Sequence, residues 1–93
     1  MDRLTLTIAT PQKLILRDEV DEVIAPGIQG YFGVLPMHAP FLTILKAGEI
    51  NYRIDKKQQY LWVSGGFCEV LENKVTILAN KAKVLETGKK EEQ

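Results

Sequence analysis

Hydrophobic side chains in this chain recur at every second residue, and that period restricts the architecture more than any other feature. Leu4, Leu6 and Ile8 alternate with Thr5, Thr7 and Ala9. Successive side chains of a strand point to opposite faces, so such a run offers one face to a core and one to solvent. The same alternation returns at Ile50, Tyr52 and Ile54, and again at Val75, Ile77 and Ala79. Between the runs stand turn-formers: Pro11, Pro26-Gly27, Ala47-Gly48, a polar hairpin tip at Asp55–Gln59, Gly65-Gly66 and a tight turn at Glu72-Asn73-Lys74. Leu14–Leu16, Val20–Ala25, Phe41–Leu45, Tyr60–Val63 and Phe67–Leu71 fill the remaining strand positions, with Asp18-Glu19 giving the next turn its polarity. No amphipathic helix pattern of about ten residues appears before residue 80. Short strands separated by such signals indicate an all-β antiparallel sandwich or barrel. Residues 1–80 are expected to form that single domain. From residue 81 to 93 lysine and glutamate dominate, a polar C-terminal tail in which Asn80 could cap a helix of about two turns before Gly88.

The composition removes several functions. Twelve basic residues balance twelve acidic ones for a formal net charge of zero. Nucleic-acid affinity comes mainly from Lys and Arg neutralising phosphates, so no nucleic-acid partner is expected. A hydrophobic share of 45% is ordinary for a folded domain. The single cysteine, Cys68, leaves no internal disulfide, and with the single histidine, His38, it supplies too few ligands for a nitrogen–sulfur zinc site. No metal or cofactor is expected. The N-terminus carries no apolar stretch of signal-peptide kind, and no run approaches a membrane span.

Catalytic constellations are also missing. The only Gly-Lys pair, Gly88-Lys89, has Lys83 where a phosphate-binding loop needs glycine. Ser64, the only serine, lies in no nucleophile-elbow context, and Ser64-Gly65-Gly66 reads as backbone geometry: a bulge or close approach of chains. Cys68 alternates within a strand without a basic neighbour, as a small core hydrophobe does. Asp18, Glu19, Asp21 and Glu22 have strand spacing, not that of a calcium loop, and read as a solvated face. Tyr60 and Trp62 read as part of a buried strand. No catalytic residue is assigned.

One stretch stands apart: Gly30-Tyr31-Phe32-Gly33-Val34-Leu35-Pro36-Met37-His38-Ala39-Pro40-Phe41-Leu42-Thr43. Glycines and prolines bend the chain at fixed places while apolar side chains fill between, and Pro40 holds Ala39 extended. A loop shaped this way on a sheet scaffold suits recognition. The stretch resembles the signature of the epsilon subunit of F-type ATP synthases. Ala25-Pro26-Gly27, Gly48-Glu49-Ile50, Ser64 to Val70 and Val75 to Ala79 resemble the same family. Met37 departs from it, standing where the family usually has glycine; if that position needs positive φ, methionine is strained there by about 1 kcal/mol. Tyr31 departs too, standing where some members carry a carboxylate.

The resemblance implies a two-sheet antiparallel β-sandwich of about ten short strands. It implies a non-catalytic rotor part at the foot of the central stalk, lying against the gamma subunit and the c-ring and helping couple proton or sodium-ion flow to ATP synthesis. It places Gln29, Gly30 and Tyr31 at the c-ring, and Thr10, His38 and Thr43 toward gamma. It implies a location on the cytoplasmic face of the bacterial inner membrane, peripheral and not inserted. The family usually continues into a helical hairpin that inhibits ATP hydrolysis; with the chain ending at Gln93, neither inhibition nor ATP sensing is expected. The alternative reading is a generic β-sandwich that binds a small ligand or peptide, with an enzyme third.

Overall fold

The computed structural model describes residues 2–85. Ten strands run in chain order: β1 (Leu4–Ala9), β2 (Leu14–Val20), β3 (Glu22–Gly27), β4 (Gly30–Val34), β5 (Phe41–Leu45), β6 (Gly48–Ile54), β7 (Lys57–Val63), β8 (Gly66–Leu71), β9 (Lys74–Ala79) and β10 (Ala82–Leu85). They form two five-stranded layers. One has the order β4-β3-β6-β7-β10 and the other β5-β8-β9-β1-β2. A single ladder pair, Gly27 with Leu45, joins the layers. This is the expected β-sandwich.

The alternation read in the sequence is the alternation of the core. Leu4, Leu6 and Ile8 of β1 are fully buried, as are Val75 and Ile77 of β9, Ile50 of β6, and Val23 of β3. Thr5 and Thr7 face outward between them. Burying an aliphatic side chain of this size stabilises the fold by about 1.5–3 kcal/mol relative to leaving it exposed. Cys68 lies wholly inside this cluster, and burial, aided by the Glu69 charge, pushes its thiol up to about 12. The turn residues act as their chemistry dictates. Glu72 and Asn73 adopt φ 51° and 64°, which lets two residues join Leu71 to its partner Lys74. Gly65 and Gly66 adopt φ 129° and 142°. A Cβ on Gly66 would lie 2.0 Å from the Leu78 carbonyl oxygen, so β8 meets β9 at a distance only glycine allows.

Several features differ from the sequence reading, among them Asp18-Glu19, which were read as turn and lie inside β2. The antiparallel expectation fails at one ladder, because β1 pairs with β9 in parallel, Thr5 opposite Lys74 through Ala9 opposite Leu78. Pro26-Gly27, read as the turn after the strand, are instead the last two residues of β3, since proline needs no ladder donor at an edge of the pairing and Lys46 N donates to its carbonyl at 3.0 Å. Residues 30–34, read as loop, form β4 against β3. Ala82–Leu85, read as polar tail with an optional helix, instead pairs with Val63–Tyr60 of β7. The open edge of β7 offers backbone partners that a two-turn helix would leave unused. The rest of that expected tail, 86–93, lies outside the described residues. Finally, only half of Tyr60–Val63 is buried: Leu61 and Val63 point inward, whereas Trp62 is exposed.

The acidic set is also not simply a solvated face. Asp18 and Glu19 are exposed, but Asp21 and Glu22 are half-buried. Asp21 Oδ1 accepts from Arg3 Nε at 3.0 Å and Oδ2 from the Asp55 amide at 2.6 Å. Arg53 reaches Glu22 at 3.4 Å and Asp21 at 3.7 Å. The Asp55 amide holds the Asp21 carboxyl below its ordinary value; desolvation opposes it, and Arg3 and Arg53 add to the lowering. Arg3 precedes β1 of one layer while Asp21 precedes β3 of the other, so this cluster ties the layers together.

Candidate partner-binding surface

The outer face of the β5-β8-β9 layer carries an apolar row at one end, with Glu69 and Thr76 in the next row, opposite Leu42. Register sets Ile44 opposite Phe67, and Phe67 opposite Leu78. These three are exposed by 58%, 46% and 43%. Leu42 (71%) and Ile28 (56%) extend the patch. Such a row, exposed and contiguous on one sheet, marks an interaction surface more than scattered apolar residues do. The reason lies in β5, where apolar residues occupy both sets of alternating positions: Leu45 faces the core while Leu42 and Ile44 face out. Two open depressions cross this face. One is lined by Ile28, Gln29, Phe41, Leu42, Thr43, Ile44 and Phe67. The other adjoins it through Ile44 and Phe67 and continues past Leu78 to Ala9, Thr10 and Pro11.

The residues singled out from sequence distribute unevenly over this geometry. Gln29 and Thr43 line the same depression, and Thr10 lines its neighbour. Thr10 is fixed in the β1–β2 turn, its amide donating to the Lys13 carbonyl at 2.9 Å. His38 reaches the surface through Phe41, with ring centroids 5.8 Å apart, and Phe41 in turn packs edge-on against Phe32 at 5.2 Å. His38 Nδ1 lies 2.7 Å from the Ala39 carbonyl oxygen, so the imidazole is oriented by its own loop. Gly30 and Tyr31 line neither depression. Gly30, with φ 134°, closes the two-residue β3–β4 turn at Ile28-Gln29. Tyr31 lies against the other strands of its own layer, where its hydroxyl accepts from the Glu49 amide at 3.3 Å. That hydroxyl sits 3.0 Å from where a Cβ on Gly48 would be.

The hairpin tip is nonetheless coupled to the apolar face, because the Ile28 amide donates to the Ile44 carbonyl at 2.9 Å. Sequence reasoning missed Ile28, Leu42, Ile44, Phe67 and Leu78. The available signal was that, Thr43 aside, apolar residues fill both alternating sets of Phe41–Leu45, which one-sided burial does not require.

Ser64, the one candidate nucleophile, is structural: its Oγ accepts from the Lys81 amide at 3.0 Å, and its own amide donates to the Lys81 carbonyl at 3.0 Å. Among the described residues, no group of three or more His, Cys, Asp or Glu could hold a metal ion. No helix among them is long and apolar enough to cross a membrane.

The fold is an all-β, two-layer sandwich with an apolar row on one outer face and shaped loops at its rim. The chain belongs to the family of the ATP synthase delta/epsilon chain β-sandwich domain, which matches residues 3–84. It is 53% identical over 79 residues to the ATP synthase epsilon chain of Nitratidesulfovibrio vulgaris, covering 85% of this chain and 59% of that relative. It is 49% identical over 81 residues to the epsilon chain of Syntrophobacter fumaroxidans, covering 87% of this chain and 60% of the relative. The chain thus spans about three fifths of the length of these relatives. Among solved structures it is similar to a chain of the Euglena gracilis mitochondrial ATP synthase OSCP/F1/c-ring assembly. There the TM-score is 0.84 at 25% identity over 88% of this chain and 53% of that one. It shares its fold with a chain of the Tetrahymena thermophila ATP synthase central stalk and c-ring, with a TM-score of 0.74 at 17% identity over 87% of this chain and 66% of that one.

Proposed function

We propose that this chain is the sandwich part of a non-catalytic central-stalk subunit of an F-type ATP synthase, helping to couple ion translocation to ATP synthesis. The observation that carries the reading is the exposed row Ile44–Phe67–Leu78 on a rigid layer, in a chain whose family is that of ATP synthase epsilon chains. Through this face, with Thr10, His38 and Thr43 at its border, the domain packs on the gamma subunit. Through Gln29, Gly30 and Tyr31 at the β3–β4 turn it meets the c-ring. The protein acts peripherally, at the cytoplasmic face of the bacterial inner membrane, held there by its neighbours. A stiff body suits a part that transmits torque, and here cross-strand pairs and an interdigitated core resist deformation under load. A neutral net charge suits a lasting assembly better than a steered encounter.

The test is binding of the chain to purified gamma. Phe67 exposes roughly 90 Å², taking about 200 Å² for a whole phenylalanine side chain. At about 25 cal/mol per Å², its loss costs about 2 kcal/mol of association, roughly 30-fold in Kd. Phe67→Ser is expected to weaken gamma binding by about that factor while leaving the isolated c-ring contact unchanged. Tyr31→Asp is expected to do the reverse. Full gamma affinity in a Phe67→Ser, Ile44→Ser double variant refutes the assignment of this face.

A further inference from the structure

The turn that carries His38 is held in a conformation suited to glycine by a side chain from another hairpin, and we infer that Asn73 is the positioning residue for His38. The His38 amide donates to the Leu35 carbonyl at 3.1 Å, closing a four-residue turn with Pro36 and Met37 at its centre. Proline fixes φ near −65°. Met37 has φ 74°. That pairing defines a type II turn. A type I turn spans the same four residues with negative φ throughout, and the two forms differ by a flip of the central peptide. The direction of the Met37 N–H therefore distinguishes them.

That N–H donates to Asn73 Oδ1 at 2.7 Å, and Asn73 Nδ2 lies 3.9 Å from Met37 Sδ. An L-residue at positive φ gains by flipping to type I. The flip turns the Met37 amide away and breaks the bond to Asn73. The opposing preferences are of similar size, so the side chain of Asn73 decides the balance. Met37 itself is 75% exposed, so core packing of its side chain does not set the choice. The clamp is well founded: Asn73 sits in the β8–β9 turn at φ 64°, and its carbonyl accepts from the Thr5 amide at 2.9 Å. Residue 73 thus gathers β1, the β8–β9 turn and the His38 turn at one point. His38 follows directly, and a turn free to exchange between the two forms would hold the loop that bears the imidazole less firmly.

For its binding readout this inference rests on the proposed gamma contact of His38; for its structural readout it does not. The experiment compares Asn73→Gly, which keeps positive φ free and deletes the acceptor, with Asn73→Asp, which keeps the acceptor. Hydrogen exchange of the Met37 amide is followed by NMR in the 93-residue chain, and affinity for purified gamma is measured alongside. Asn73→Gly is expected to lose about tenfold in Met37 protection and several-fold in gamma affinity, the scale of one hydrogen bond. Asn73→Asp is expected to stay within about threefold in protection. Adding Met37→Gly to Asn73→Gly is expected to restore gamma affinity to within about twofold, because glycine adopts the turn without help. Unchanged protection in Asn73→Gly overturns the clamp. Lost protection with unchanged gamma affinity, or failure of the Met37→Gly rescue, overturns the positioning role. If the unaltered chain does not bind gamma, the functional reading fails and the positioning role with it, while the exchange data still decide the clamp.

Discussion

Replacing Gly66 by alanine introduces a methyl group into a place already filled by a neighbouring strand. The added Cβ would lie 2.0 Å from the Leu78 carbonyl oxygen and 2.8 Å from Ala79 Cα. These are backbone atoms of β9, so relief requires the strands to part. The residue also sits at φ 142°, a region closed to side chains. Backbone strain of this kind costs about 1–3 kcal/mol. Overpacking against a fixed neighbour adds about 1–3 kcal/mol. The sum, about 2–6 kcal/mol, is a large share of the roughly 5–14 kcal/mol expected for a domain of this size. Two other glycines separate the contributions. Gly65, at φ 129°, has its nearest atom at an ordinary 3.4 Å, so Gly65→Ala should show the strain alone. Gly33 has no positive φ, and its nearest atoms are 4.0 Å away, so Gly33→Ala should change stability by less than about 0.5 kcal/mol. Thermal unfolding followed by circular dichroism is the assay. Gly66→Ala should lower Tm by at least about 8 °C. Gly65→Ala should fall between it and Gly33→Ala. A Gly66→Ala protein that melts within a few degrees of Gly33→Ala refutes the reasoning.

Cys68 should resist thiol reagents in the native state. With its thiol pushed up to about 12, the thiolate at pH 8 is more than about a thousandfold scarcer than in an ordinary cysteine. Disulfide-reagent labelling should thus be slow until denaturant is added, and comparable rates in native and unfolded protein would contradict the burial. The Asp21 carboxyl, held below its ordinary value of 3.8, contributes stability that is fully present above that value and is lost as pH falls through its lower folded value. Asp21→Asn should accordingly lower Tm at pH 7 and flatten the acid limb of a Tm–pH curve below about pH 4. An acid limb of unchanged slope would show that other carboxylates govern it.

Much of the sandwich is legible in the chain because its information is local. Glu72-Asn73 and Gly65-Gly66 announce their turns through conformations few residues tolerate, and the alternation in β1, β6 and β9 names its own core face. What is hidden is non-local. Nothing in Leu4–Ala9 says that its second neighbour will be Lys74–Ala79, or that this ladder will run parallel. Ala82–Leu85 reads as tail because its strand character is supplied by the open edge of β7. The proposed contact surface was half visible. Thr10, Gln29, His38 and Thr43 were reached through a family pattern, and they lie on or beside the apolar face. The face itself was missed, since alternation marks two sides of a strand without saying which is covered. Tyr31 was reached by the same pattern, yet it packs toward Gly48 and Glu49 of the opposite layer from that face, a placement set by a hydroxyl–amide bond that composition does not reveal.

The parallel ladder has a consequence for synthesis of the chain. Thr5 waits for Lys74, a partner made 69 positions later (74 − 5). At about 5–20 residues per second, that interval lasts roughly 3–14 s. During it the β1–β2 hairpin, with Leu4, Leu6 and Ile8, lacks β9, the strand that joins it to the rest of its layer. The nascent chain therefore keeps the inner edge of that hairpin unpaired until β9 is made. A ribosome paused before codon 74 would leave a species with good reason to seek a chaperone.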